Sequence, residues 1–383
     1  MIHALLVGAV IVGLGVIALI FINLAATPRL SRVIVGGRTP RVSIVVPARN
    51  EERGIAGAVS SHLAQEYPDF EVVVVNDCSA DRTGEILESY ARADPRIRVI
   101  AGSDPPAGWL GKPHALSLGA RAATGDILLF ADADVRYDRR ALAEAVTLLE
   151  SESCDFLGLL PRFEAEGFWE NVLMPYVPGG YYFGPGFLAN RDRPRWMALG
   201  GGAGILVRRS AYDAVGGHET LKNSVVDDVR LAFLVKRAGF RTRAARAEDR
   251  VSVRMYRGLG EIVEGFTKNI AYLFTGPVGL ALLALTAVIT VLAALPPVAL
   301  VAGILGAPVA RGDLGLAALA TAIAVCARAI LAVSLGDPVW PALTHPIMTA
   351  TWAAIIGRSL YFRLVRRRLT WRGRQFDARA ARF

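Results

Sequence analysis

The sequence predicts an α/β domain on a mostly parallel sheet, with helices of membrane-spanning length at both ends of the chain. Three observations predict it. Between Arg41 and Phe130, short β-branched apolar runs alternate with helical stretches, the rhythm of a parallel sheet with helices on both faces. Ala4 to Leu24 is a nearly unbroken apolar run, with Asn23 its only clearly polar residue, and its length suits a bilayer. Three more apolar stretches follow near the C-terminus, Val278–Leu305, Leu314–Leu335 and Ala342–Phe362. The 383 residues, 53% of them hydrophobic, and the mean hydropathy of +0.39 fit one sizeable domain with added membrane elements.

Taken in order, the elements divide the chain into an anchor at 1–28, an α/β domain at 29–276, C-terminal transmembrane helices at 277–362 and a basic tail at 363–383. Met1-Ile2-His3 carries no Lys or Arg, and the apolar run after it is long for a signal peptide, so an uncleaved anchor is expected. Arg41–Val46 reads as the first buried strand, ending at Pro47. A helix follows at Gly54–Gln65, then a strand at Phe70–Val75 and a helix at Thr83–Ala93. Ile97–Ile100 is a third strand, Lys112–Ala123 a helix and Asp126–Phe130 a fourth strand. Val229–Ala238 is again helical.

Phe163–Phe187 differs in character. It holds Phe168, Trp169, Tyr176, Tyr181, Tyr182, Phe183 and Phe187, interrupted by Pro175, Pro178 and Pro185. A bent core segment and a membrane-interface belt of amphipathic rings both fit. Arg328 and Arg358 lie inside the later apolar runs. Cations there face a bundle interior or snorkel to headgroups, which makes them functional candidates.

The net charge of +9 clusters at membrane edges. Arg29, Arg32, Arg38 and Arg41 follow the first run, and Arg363, Arg366, Arg367, Arg368, Arg372 and Arg374 follow the last. Such clusters read as cytoplasmic flanks on anionic lipid. With no nucleic-acid motif beside them, they do not point to nucleic-acid binding. A cytoplasmic domain and a cytoplasmic tail need an even number of spans between them, yet three apolar stretches intervene. Either one lies in the interface, Ala342–Phe362 being the first suspect, or the tail lies outside. Cys78, Cys154 and Cys326 show no paired spacing, so neither a zinc site nor a disulfide framework is expected, in keeping with a reducing cytoplasm.

Ligands on parallel sheets bind beyond the carboxyl ends of the strands. Three polar clusters lie there: Arg49 with Glu51, Asp77, and Asp132 with Asp134. The last pair follows the strand Ile127–Phe130, two residues apart, which places both carboxylates on one face of an extended segment. Close carboxylates repel unless a positive charge sits between them. A hard divalent cation carrying a diphosphate is the natural occupant, and two solvated aspartates the plain alternative.

In order and spacing these residues resemble family-2 glycosyltransferases with the GT-A fold. The resemblance rests on Val42-Ser43-Ile44-Val45-Val46-Pro47-Ala48-Arg49-Asn50-Glu51, Val75-Asn76-Asp77-Cys78-Ser79, Thr124-Gly125-Asp126 and Asp132-Ala133-Asp134. It continues through Gly216-Gly217, Asp227-Asp228 and Ala238-Gly239-Phe240. It covers about residues 41–275. Pro105-Pro106 with Gly108-Trp109-Leu110-Gly111-Lys112-Pro113 is similar to the membrane-associated branch that includes carotenoid- and hopanoid-associated glycosyltransferases.

The resemblance implies an inverting, metal-dependent transfer of one sugar from a nucleotide diphosphate sugar to a lipid-like hydroxyl such as a polyprenol, carotenoid, hopanoid or glycolipid. Asp77 would accept a hydrogen bond from the nucleobase and Glu51 would bind ribose. Pro47, Ala48, Arg49, Lys112 and Asp132 would complete the donor site. Asp134, with Asp132, would hold Mg²⁺ or Mn²⁺, and Asp228 would be the general base. Gly201, Gly202 and Asp227 would line the sugar and acceptor side. Several plain readings stand beside these. Asp227-Asp228 also suits a helix N-terminus, the glycine run a flexible turn, and Lys112 a solvated surface. His218 is a minor candidate metal ligand or a structural histidine. Arg254, Arg257 and Lys268 are diphosphate candidates by charge and position.

The Gln-x-x-Arg-Trp pattern of processive polysaccharide synthases is replaced here by Arg254-Met255-Tyr256-Arg257-Gly258, which speaks against polymer synthesis. A short-chain polysaccharide synthase and a non-catalytic membrane scaffold remain the alternatives.

Overall fold

The computed structural model describes residues 1–273, 276–366, 368–371 and 374–377. Of the expected basic tail, Arg367, Arg372, Gly373 and residues 378–383 lie outside the described residues. The chain opens with α1 (Ile2–Ala26). β1 (Val42–Ala48), α2 (Ile55–Leu63), β2 (Phe70–Asn76), α3 (Thr83–Ala93), β3 (Ile97–Ala101), α4 (Gly111–Ala122) and β4 (Ile127–Phe130) then alternate. β5 (Val135–Tyr137), α5 (Ala141–Ser151), β6 (Phe156–Leu160) and β7 (Arg162–Phe163) follow, then α6 (Phe168–Leu173) and the single turn α7 (Gly179–Tyr182). Next come β8 (Ile205–Arg208), α8 (Arg209–Ala214), α9 (Gly217–Thr220), α10 (Asp227–Arg237), β9 (Thr242–Arg246) and β10 (Val251–Val253). The last helices are α11 (Gly258–Leu273), α12 (Gly276–Ile304), α13 (Arg311–Leu335) and α14 (His345–Tyr361), followed by strands β11 (Arg368–Trp371) and β12 (Arg374–Asp377).

These elements form two compact units. The α/β unit comprises Ala26–Glu164 and Gly186–Met255, with the two C-terminal strands assigned to it. The helical unit comprises Met1–Ala25, Ala165–Pro185 and Tyr256–Arg367. The aromatic segment thus divides. Phe168 to Phe183 belongs with the apolar helices, and Phe187 with the sheet.

The main sheet of the α/β unit runs β3-β2-β1-β4-β8-β6-β9. Every neighbouring pair is parallel except those made by β8, which runs antiparallel to β4 and β6. A small sheet, β5-β10-β7, lies apart from it. β1 does not end at Pro47 but runs through it to Ala48. Its pairing with β4 stops at Val45, whereas its pairing with β2 continues to Ala48. Pro47 therefore sits where one side of the strand is no longer paired, and its missing N–H costs no ladder bond.

The period-2 alternation of β1 feeds two cores. Val42, Ile44 and Val46 pack with Ile55, Leu87, Leu142 and Val146 on one face. Val45 packs with Val73, Leu116, Phe130, Leu231 and Val235 on the other. α4 comes so close to the sheet at Gly119 that an added Cβ would stand 2.5 Å from Val45 Cγ1 and 3.2 Å from Val75 Cγ2, so a larger residue there would force the helix and sheet apart.

Lys236 on α10 is fully buried. Its ammonium donates to the carbonyls of Leu188 (3.1 Å), Ala189 (3.1 Å) and Met197 (2.6 Å). A buried charge persists only where its donors are met. Here they pin the irregular segment that leads into the glycine run.

In the helical unit, α12 packs on α13 and α14, and α11 on α14 and α6. Ser359 ties α14 to α11 by accepting from the Ala271 N–H (2.9 Å) and donating to the Thr267 carbonyl (2.6 Å). Leu6, Ala299 and Ala317 join α1, α12 and α13. Among the described residues, three helices are long and apolar enough to cross a membrane: Ile2–Ala26, Gly279–Ile304 and Arg311–Leu335. α14, with 17 residues, is not among them.

Replacing Lys236 by Met keeps the stem and removes all three donors. Each buried carbonyl left unpaired costs about 1–3 kcal/mol, partly offset by removing a buried charge. Thermal unfolding of the detergent-solubilised protein should show a net loss of about 2 kcal/mol. An unchanged midpoint would remove the anchoring role.

Candidate active site

Pairing brings the ends of β1 and β2 side by side, with Ala48 opposite Asn76. Beyond them the two loops are stitched together. The Asp77 N–H donates to the Ala48 carbonyl (2.8 Å) and the Arg49 guanidinium to the Asp77 carbonyl (2.7 Å). The Glu51 N–H donates to Thr83 Oγ1 (2.8 Å), and the Ala80 N–H to Asn50 Oδ1 (2.9 Å). Asn50 and Cys78 both turn through the left-handed region, at φ 53° and 52°, which asparagine tolerates best among side-chain-bearing residues. Pro47 and Ala48 at the end of β1 thus lie next to Arg49, Glu51 and a buried Asp77 in the paired loops beyond.

A second group gathers at the end of β4. The Asp132 N–H donates to the Gly202 carbonyl (2.8 Å), and the Tyr137 hydroxyl to the Ala203 carbonyl (2.7 Å). The glycine run is packed rather than loose. A Cβ at Gly202 would collide with the Asp132 carboxylate, and one at Gly200 with the Asp228 carbonyl. Lys112, in the first turn of α4, reaches across to Asp132, with Nζ 2.7 Å from Oδ1. Lys112, Asp132, Gly201, Gly202, His218, Asp227 and Asp228 line one cleft with about 270 Å³ of empty space, part of it open to the surroundings.

Electrostatics in that cleft follow from three carboxylates and one ammonium. Burial alone would lower the Lys112 pKa, but Asp132, Asp227 and Asp228 hold it well above its usual value. Burial pushes the Asp227 carboxyl up to about 7; Asp228 and Asp132 add to this and Lys112 opposes it. Asp228 is raised as well, by burial first, while Lys112 and the backbone N–H groups of Val229 and Gly202 favour its charged form. Val229 N–H meets Asp228 Oδ1 at 2.8 Å.

Behind Asp227 lies a chain that sequence reasoning missed. His218 Nε2 stands 3.8 Å from Asp227 Oδ2, and its Nδ1 lies 2.8 Å from the Tyr212 hydroxyl. Burial takes the His218 pKa down to about 3, so the ring is neutral. Phe130 closes over it edge-on, with ring centroids 4.8 Å apart. His218 therefore backs a carboxylate. Only the short spacing from Tyr212 to Gly217-His218 hinted at the pairing in the sequence.

Other candidates lie elsewhere. Asp134 is half-buried beside Gly54, where an added Cβ would sit 3.6 Å from its own Cβ; it is not on the cleft lining. Arg254 follows β10 in the α/β unit, whereas Arg257 and Lys268 belong to the helical unit.

Replacing Gly202 by Ala tests the packing of the cleft. The added methyl must displace the Asp132 carboxylate and break its contact with Lys112. Overpacking of this kind costs about 1–3 kcal/mol, so the protein should fold while its affinity for nucleoside diphosphate drops. Calorimetric titration that gives wild-type affinity would show that the Asp132 position is unimportant.

Residues 43–216 match the family described as Glycosyl transferase family 2. A 4,4'-diaponeurosporenoate glycosyltransferase of Staphylococcus haemolyticus is 26% identical over 243 residues, which is 62% of this chain and 62% of that relative. Its counterpart in Staphylococcus aureus strain USA300 is 27% identical over 239 residues, 60% of each chain. The solved mannosyltransferase of Pyrobaculum calidifontis, in complex with GDP-Man and Mn²⁺, superposes with a TM-score of 0.55 at 22% identity, over 94% of this chain and 99% of its own. Order of motifs, sheet topology and these likenesses agree on the GT-A fold, and residues 43–216 of this chain carry the match to Glycosyl transferase family 2.

Proposed function

We propose that the chain is a membrane-anchored, inverting glycosyltransferase that moves one sugar from a nucleotide diphosphate sugar to the hydroxyl of a lipid-like acceptor. The observation that carries this reading is the single cleft shared by Lys112, Asp132, Gly202, Asp227 and Asp228. Asp228 acts as general base, oriented by the Val229 N–H. As the acceptor oxygen bonds to the anomeric carbon, the bond from that carbon to the diphosphate oxygen breaks. The hydroxyl proton passes to Asp228 and the electron pair leaves with the diphosphate, so the configuration inverts. Lys112 offers positive charge to the departing oxygens. Asp227, backed by His218, shapes the acceptor side. Asp77, Glu51 and the backbone of Pro47–Arg49 hold the nucleoside, and Arg254 is a further candidate for the diphosphate by charge.

Asp132 and Asp134 fit Mg²⁺ or Mn²⁺. Their donor atoms are oxygen only, and two carboxylates leave further coordination positions open. That suits an ion which takes its remaining ligands from diphosphate and water. When bound, it supplies charge neutralisation to the leaving group.

The anchor and the two later membrane-length helices support a membrane setting. Two spans, α12 and α13, between the α/β unit and Arg363 return the chain to the side it left. Arg29, Arg32, Arg38 and Arg41 then share the cytoplasmic face with Arg363 and Arg366. The apolar helices and the carotenoid acid in the relatives' names support a lipid-like acceptor.

Asp228→Asn keeps size and shape but takes no proton. Single-turnover transfer should fall by roughly 10²–10⁴-fold with donor affinity nearly unchanged, and Asp227→Asn should cost far less. A dead Asp227→Asn variant, or donor affinity lost in Asp228→Asn, would move the base elsewhere. Because the Asp228 pKa is raised and the base works ionised, the rate should decline with falling pH from above the ordinary carboxylate value of about 4.

Asp134→Ala should abolish metal-dependent binding of the nucleoside diphosphate while leaving the fold intact. Titration in saturating Mn²⁺ that gives wild-type affinity would remove Asp134 from the metal site.

A further inference from the structure

Arg328 is a charged residue that sugar transfer leaves unused. It sits on α13, about two helical turns before the end at Leu335, and is only 9% exposed. Its Nη2 donates to the carbonyl of Val172 at 3.2 Å. Its Nη1 is buried and has no hydrogen-bond partner among the described residues. The same guanidinium lines a cleft with Tyr176, Leu331, Asp337, Pro338 and Pro341. About 350 Å³ there is not filled by protein atoms, part of it open to the surroundings. The cleft lies where Gly336, at φ 76°, turns the chain out of the membrane-length helix.

A guanidinium does not shed its proton at any working pH. Burying it without an acceptor is costly, and more so within an apolar helix. A neutral carbonyl on one nitrogen does not balance the charge. The fork of Nη1 and Nη2 matches an oxyanion, which would supply both the missing acceptor and the missing charge. The remaining walls are apolar, formed by Leu331, the prolines and the Tyr176 ring, which also packs on Trp352 with centroids 5.6 Å apart. We propose that this cleft binds the oxyanion head, carboxylate or phosphate, of an amphiphile, with Arg328 Nη1 as its principal donor. The site goes beyond the transfer reaction and stands whether or not that reading holds.

The test uses full-length protein in a neutral detergent, titrated with dodecyl phosphate and with dodecanoate and counted by native mass spectrometry. One saturable ligand per chain is expected. Arg328→Gln should weaken it by roughly 10- to 100-fold, the worth of a hydrogen bond to a charged group, and Arg328→Lys should weaken it less. Asp337→Asn removes a carboxylate from the lining and should tighten binding. Dodecanol, with the same tail and no charge, should not compete. Competition by inorganic phosphate would assign recognition to the head alone, and its absence to head and tail together; both uphold the oxyanion. Equal affinity in wild type and an Arg328→Gln variant of unchanged melting temperature would overturn the proposal. So would weaker binding in Asp337→Asn, which also serves as the test if Arg328→Gln does not fold.

Discussion

Lys112 reaches into a cleft that three carboxylates share, and the fold brings the four groups together from three separate segments. Asp132 comes from the end of β4, and Asp227 and Asp228 from the start of α10. Brought together without a cation, they would repel or take up protons. Lys112, held at the head of α4, cancels part of that charge and touches Asp132 directly. One ammonium against three carboxylates leaves the cleft short of positive charge, a shortfall that the divalent ion of the proposed reaction would reduce.

The first half of the fold was legible because each element has a single strong signal. β-branched runs bounded by polar turns gave β1 to β4, and the helices between them followed. The ends of β1 differed because the pairing of a strand with each neighbour can stop at different residues, which no single-strand pattern reveals. β6, β8 and β9 left fainter marks. Phe156–Leu160 and Ile205–Arg208 are short, and a short apolar run does not declare its direction. The reversal of β8 is a property of the whole sheet.

The site was legible in its charged members and opaque in their supports. Asp132, Lys112 and the Asp227-Asp228 pair stood out because like charges close in sequence, or a lysine beside a glycine-rich loop, ask for a chemical reason. Tyr212 and Lys236 gave no such sign, and His218 stood out only as a lone histidine. A histidine behind a carboxylate and a lysine satisfying three carbonyls act through distances between segments remote in sequence. Asp134, two residues beyond Asp132, stood out by the same spacing, and its Cβ lies close to Gly54.

The antiparallel course of β8 has a consequence for how the site can vary. Phe130, the last residue of β4, pairs with Ile205, the first of β8. The glycines therefore enter the sheet at the same edge where the aspartates leave it. One wall of the cleft is built by chain leaving a strand, and the other by chain entering one. The second wall hangs on a stretch of chain that passes through the helical unit before it returns at Gly186. Changes of length or sequence in that return leg can reshape the glycine wall while the aspartate loop stays as it is, so the two halves of the cleft are free to diverge at different speeds.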